Sequence, residues 1–269
     1  MQKYTGSTLS GFAPGVHFGV PSPALSLIVT LRDHPVTLTP THDGDRGSTT
    51  FSGVVAGLQL SPVLIDHEAS SHTVTMHLTP AGARYLLGVP AVELVGQTVS
   101  ADAVLGPSVE GLRHRVEMAD DWPTRFRLVE AYLRRRLPDR RRPGGLADLA
   151  WERITTTEGR RTIASVAEHL RCSPRTLHAI VKAEFGIGPK ALARMVRFTS
   201  ARALVHQRLL SDQREPTLAQ IAAHCGYADE THLIRDWSAF TGTTPMGWRT
   251  RDEFAFHQAH LSSQFRLDP

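Results

Sequence analysis

The chain has 269 residues, 41% hydrophobic and 7% aromatic, enough for two globular domains with cores of their own. It holds no run of roughly 18 apolar residues and no basic-then-apolar amino terminus, so neither a membrane span nor a signal peptide is expected and the cytoplasm is the expected location. Its two cysteines, Cys172 and Cys225, fall in expected turns and support neither a disulfide framework nor a zinc cluster.

The net charge of +4 is unevenly placed. Residues 1–120 carry 6 Lys and Arg against 10 Asp and Glu, whereas residues 121–269 carry 24 against 16. Arginine far outnumbers lysine, which suits bidentate contacts to phosphate and guanine.

Residues 1–16 are polar and glycine-rich and predict a loose or edge-packed lead-in. From His17 to about His77 the chain reads as short strands: Val16–Val20, Leu25–Leu31, Pro35–Pro40, Thr49–Leu60 and Ser71–Pro80. Breaks fall at Pro21-Ser22-Pro23, at His42-Asp43-Gly44-Asp45 and at Pro62. This pattern predicts a small barrel or sandwich, able to enclose a ligand or to fill itself with side chains. His17, His34, His42, His67, His72 and His77 lie in this region. The five-residue spacing of the last three alternates faces on a strand and turns ~140° on a helix, so no single element aligns them. No metal or other cofactor is expected.

Pro80 to about Leu112 predicts short helical pieces and loops. A helix over 120–137 follows, capped by Asp120 or Asp121, with Pro123 in its first turn and Phe126, Val129, Leu133 and Leu137 in one apolar stripe. That stripe serves either as a dimer seam or as packing within its own domain. The run from Pro138 to Gly145 has no apolar partner and marks the expected linker between a domain at 1–137 and a second at 146–254, leaving 255–269 as a tail.

The second half reads as helical throughout. Leu146 to about Thr157 forms one helix. Thr162–Leu170 and Ser173–Phe185 form a helix pair, with Ser173 at the cap and Pro174 at the first helical position. Thr217–Phe240 repeats the arrangement. Leu218, Ile221 and Ala222 share one face, Gly226 supplies a tight turn, and Leu233, Trp237 and Phe240 restart the period. Thr217 with Gln220 forms a capping box, and Asp229 caps the next helix. Two helix-turn-helix units are therefore expected, at 162–185 and 217–240. Pro189 to about Leu210 supplies a connecting helix of roughly 30 Å, long enough to hold two reading helices about one DNA turn apart.

These residues resemble the AraC/XylS family of bacterial transcription regulators. SVAEHLRCSPRTLHAIVKAEFGIGPKALARMVRFTSARAL and TLAQIAAHCGYADETHLIRDWSAFTGTTPMGWR match the family's two units and joining helix, and FTGTTPMGWR is similar to its closing signature, with Trp248 where tyrosine is common. The resemblance covers about residues 146–251. It implies an α+β protein of two domains, mostly β with short helices at the amino end and an all-α domain of seven helices at the carboxy end.

The family's base-facing positions fall on Arg175, Thr176, His178 and Ala179 in the first unit, with Lys182 toward phosphate, and on Glu230, Thr231, His232 and Arg235 in the second. Two departures stand out. Arg171 occupies a turn position where glycine is usual, which strains the turn by ~1–2 kcal/mol if its φ is positive. Ala179 cannot donate a hydrogen bond, although it can touch a thymine methyl. The resemblance further implies double-stranded promoter DNA and RNA polymerase as partners, a small-molecule effector or a homodimer through the amino-terminal domain, and no membrane. With no nucleophile elbow, phosphate loop or dinucleotide fingerprint, no enzyme is expected. Two other readings stay open: a metal- or ligand-binding barrel enzyme fused to a DNA-binding domain, and a regulator acting mainly through protein contacts.

Overall fold

The computed structural model describes residues 3–31, 35–39, 49–137, 144–211, 215–253 and 256. Its amino-terminal half is built on two antiparallel sheets. Strands β1 (Lys3–Ser10), β8 (Ser70–Leu78), β3 (Leu25–Thr30), β6 (Gly53–Ala56) and β9 (Thr98–Ser100) lie in that order in one sheet. In the other, β2 (Gly15–Gly19), β7 (Val63–His67), β4 (Val36–Thr39) and β5 (Thr49–Phe51) follow one another. Leu25, Leu27 and Val29 of β3 and Val74, Met76 and Leu78 of β8 are buried at every second position, as a sheet with one covered face requires.

That face is covered by α1 (Pro80–Leu87), a 3₁₀ helix at Ala91–Leu94, α2 (Ala101–Leu105), α3 (Ser108–Glu117) and α4 (Trp122–Arg136). Gly57 admits this layer closely, since a Cβ there would fall 1.6 Å from the Leu94 carbonyl oxygen. Asp121 caps α4 by accepting from the Thr124 amide at 2.6 Å. The α4 stripe is consumed within the chain: Phe126, Val129 and Leu133 are buried, and the Phe126 ring lies 6.4 Å from Tyr4 and 5.7 Å from Trp122. The reading of that stripe as a dimer seam gives way to packing within its own chain.

Three strands were not legible in the sequence. The expected lead-in at 1–16 holds β1, a regular edge strand whose eight residues pair with β8 from Lys3↔His77 to Ser10↔Ser70. Its polar residues obscure it. Thr5 and Ser7 are buried, and the Ser7 and Thr73 hydroxyls share a 2.7 Å hydrogen bond, so the strand turns polar side chains inward instead of alternating apolar with polar. Gly6 leaves room for Trp122, whose ring would meet a Cβ at 2.1 Å. The other two are β7, a short run after Pro62 with no alternation, and β9, three residues held by β6. His34, His42, the break at 42–45, linker residues 138–143 and tail residues 257–269 lie outside the described residues.

The carboxy-terminal half is helical: α5 (Leu146–Thr156), α6 (Ile163–His169), α7 (Pro174–Phe185), α8 (Pro189–Ser211), α9 (Leu218–His224), α10 (Glu230–Thr241) and α11 (Trp248–Arg251). One hydrophobic cluster runs through both halves, from Tyr4 to Phe256. Among the described residues, no helix is long and apolar enough to cross a membrane.

Candidate nucleic-acid interface

Two turns of the same build frame the site. At the end of α6, Leu170, Arg171 and Cys172 donate their amides to Val166, Glu168 and Ala167 carbonyls at 3.0–3.1 Å. At the end of α9, Cys225, Gly226 and Tyr227 donate to Ile221, Ala223 and Ala222 at 2.9–3.2 Å. Both close the helix through a left-handed residue, Arg171 with φ 53° and Gly226 with φ 75°. The strain expected at Arg171 is therefore present, because arginine stands where its counterpart is glycine.

Each unit is capped as its residues dictate. Thr162 accepts from the Ser165 amide at 3.1 Å and Ser173 from the Thr176 amide at 3.0 Å. Thr217 and Gln220 exchange both bonds of a capping box, at 2.6 and 3.2 Å. Asp229 accepts from the His232 amide at 2.7 Å, and Glu230 places a carboxylate at the positive end of the α10 dipole. Behind the caps, Leu177, Val181 and Phe185 bury one face of α7, while Leu233, Trp237 and Phe240 bury the matching face of α10. Both helices end on left-handed glycines, Gly186 and Gly242.

The residues expected to face DNA divide into two sets. Arg175, His178, Ala179, Lys182, Glu230, Thr231 and Arg235 are exposed, and Arg175, Lys182 and Arg235 make no ion pair among the described residues. Thr176 and His232 are engaged. The Thr176 hydroxyl lies 2.8 Å from Ser173 Oγ within the cap. The His232 ring stands edge-on to Tyr227 at 5.2 Å, with its Nε2 3.9 Å from Asp236 Oδ2. His232 thus packs the turn against α10.

Positions 56 residues apart correspond: Leu177 with Leu233, Val181 with Trp237, Gly186 with Gly242. By that register Arg175 stands where Thr231 stands, and Ala179 where Arg235 stands. The α8 helix between the units has 23 residues, roughly 34 Å at 1.5 Å per residue.

Two groups important here were not singled out by sequence. Asp236 on α10 is buried and paired with Arg194 of α8; an acidic residue beside Leu233, Trp237 and Phe240 on the inner face of α10 was its signal. Arg160 donates to the His224 carbonyl at 3.3 Å and pairs with Glu158 at 2.6 Å, bracing the loop before α6 against the second turn. Among the described residues no group of three or more His, Cys, Asp and Glu side chains is arranged to hold a metal ion. Cys225 is buried beneath the second turn, which pushes its thiol up to about 11, and Cys172 is half-buried.

Residues 166–251 match the family model of a helix-turn-helix domain. No curated protein sequence matches the chain. Among solved structures, ToxT from Vibrio cholerae is similar at 11% identity and TM-score 0.50, covering 92% of this chain and 98% of ToxT. An apo ToxT variant from V. cholerae strain SCE256 is similar at 12% identity and TM-score 0.53, covering 94% and 98%. The C-terminal domain of AraT, a response regulator from Geobacillus stearothermophilus, shares 25% identity at TM-score 0.36, covering 41% of this chain and 88% of that domain. The ToxT likeness extends to the whole two-part fold, sheets and helices together. Residues 166–251 of this chain are an AraC-type helix-turn-helix domain, the DNA-binding part of a transcription regulator.

Proposed function

We propose that the chain occupies promoter DNA through both units, with α7 and α10 entering successive major grooves and the amino-terminal part, residues 1–137, modulating the helical part, residues 146–254. The observation that carries this reading is the repeat itself. Two turns with matching hydrogen bonds present two helices whose outward faces are exposed, joined in the chain by α8, a helix comparable in length to one turn of DNA, ~34 Å. Phosphate contacts from Lys182 and neighbouring arginines provide affinity that falls steeply with salt. Discrimination between bases comes from Arg175, Thr231 and Arg235, each good contact contributing ~1–3 kcal/mol. His178 and Glu230 flank these groups; His178 adds a phosphate contact, and Glu230 accepts from a cytosine amine. Ala179 offers a methyl contact to thymine.

Selection of random and genomic duplexes by the full-length protein tests the reading. Enrichment of two half-sites about one helical turn apart is the expected result. A single half-site would remove the first unit from base reading, and no enrichment at all would reject the proposal.

A further inference from the structure

Both reading helices end on a glycine, and the amino-terminal half touches both glycines. At Gly186 an added Cβ would lie 2.5 Å from Val95 Cγ2 and 3.3 Å from Val92 Cγ2, both in the segment around the 3₁₀ helix. Two residues earlier, Glu184 of α7 pairs with Arg84 of α1. At Gly242, 56 residues on, an added Cβ would lie 3.6 Å from the Phe18 ring of β2. The Phe18 amide also donates to Asp252 Oδ2 at 2.9 Å, and that carboxylate, just beyond α11, is only 5% exposed. A further bond, from Trp151 Nε1 to the Pro23 carbonyl at 3.3 Å, ties α5 to the loop after β2.

The two arms come from different parts of the amino-terminal fold. Phe18 belongs to the four-stranded sheet, whereas Arg84, Val92 and Val95 follow β8 of the five-stranded sheet. Neither arm covers the outward faces, since Arg175, Lys182, Thr231 and Arg235 stay exposed with both arms docked. The contact is therefore compatible with DNA binding and differs from a plug over it.

We infer that the amino-terminal half is a two-armed clamp on the carboxy ends of α7 and α10, which sets the pose of one reading helix relative to the other and thereby the half-site spacing the protein accepts. This rests on the reading of α7 and α10 as the DNA-reading helices. Any event that shifts the four-stranded sheet against the 3₁₀ segment moves one helix end and leaves the other in place. The physical basis differs at the two ends: at Gly186 the left-handed cap leaves no side chain and Val95 seats directly on the helix end, whereas at Gly242 the Phe18 ring rests at ordinary van der Waals distance and the Phe18–Asp252 bond holds it there.

The test uses the full-length chain with spin labels at Ala183→Cys and Ala239→Cys, exposed and equivalent positions on α7 and α10, in a Cys172→Ser background. One arm is released by Phe18→Ala, the other by Val92→Ser with Arg84→Gln; Val92 is 38% exposed, so that pair spares the core. The label-to-label distance is expected to be narrow in the parent and broad in either variant. On duplexes whose half-site spacing is varied by single base pairs, the preference for the best spacing is expected to fall about tenfold, as coupling between two tethered modules loosens. Unchanged distances in variants that retain the parent's circular dichroism would overturn the clamp. Absence of DNA binding by the parent would instead overturn the reading beneath it, and the distance measurement still decides the clamp. If Phe18→Ala fails to fold, the Val92 and Arg84 variant decides alone.

Discussion

Arg194 of α8 holds Asp236 of α10 in a fork: Nη2 to Oδ1 at 2.7 Å, Nε to Oδ1 at 3.1 Å and Nε to Oδ2 at 3.3 Å. The carboxylate is 5% exposed and the guanidinium side chain 37%, so the pair pins α10 to α8 from a half-wet position. Removing the cation leaves a buried charge without its partner, whereas neutralising the acid removes that charge. Arg194→Met is therefore expected to lower stability by about 2–3 kcal/mol, and Asp236→Asn by less. Urea midpoints of the two variants check the order, and a reversed order would mean that the pair is not limited by the buried carboxylate.

The corresponding turns give a second prediction. Arg171 adopts φ 53° with a Cβ, and Gly226 adopts φ 75° without one. Arg171→Gly should raise stability by about 1 kcal/mol, the relief of left-handed strain being partly offset by the greater freedom glycine brings to the unfolded chain. Gly226→Ala should lower it by about 1–2 kcal/mol, since the new Cβ is strained and also meets Arg160 Cγ at 2.9 Å. Thermal or urea unfolding of both variants reads the opposite signs.

Why the helical half was legible and the sheets less so follows from these residues. Caps such as Ser173-Pro174, Thr217 with Gln220, and Asp229 announce helix starts locally, and the 3.6-residue period of Leu233, Trp237 and Phe240 marks a buried face within a single element. A strand such as β1 depends on a partner 66 residues away, where Ser7 meets Thr73, and nothing near it in sequence discloses that bond. The fork on Asp236 and the contacts on Gly186 and Gly242 are likewise long-range. The exposed face of α10 could be read from period alone; the engagement of His232 with Tyr227 could not, because it depends on the path of the turn.

His17 gives a pH prediction. It is buried on β2 with the His67 ring 5.5 Å away, and burial first, then the charge of His67, push its imidazole down to about 3. The unfolded chain takes up a proton near pH 6.5 that the folded chain refuses, so stability from this group is complete above that pH and is lost as pH falls from about 6.5 toward 3. Between pH 7 and pH 5 the loss is about 2 kcal/mol. His17→Asn should flatten this part of the stability profile measured by urea unfolding; an unchanged slope would assign the loss to other groups.

The unequal reading faces give the last prediction. Arg235 and Ala179 hold equivalent positions, and Arg235 is exposed with no ion pair among the described residues, so its fork is free to meet a guanine edge. Arg235→Ala should weaken binding to the selected site by ~1–3 kcal/mol, roughly fivefold to 150-fold, while random duplex loses only what one phosphate contact gives. The test is competition binding at fixed salt, with selected and random duplexes measured on the same preparation. An equal loss on both would assign Arg235 to the backbone and leave base reading in the second unit to Thr231. In the first unit the equivalent burden falls on Arg175, because Ala179 offers only a methyl group. Arg175→Ala is therefore expected to relax base preference in one half-site and leave the other unchanged, an asymmetry that a protein reading through one unit alone would not produce.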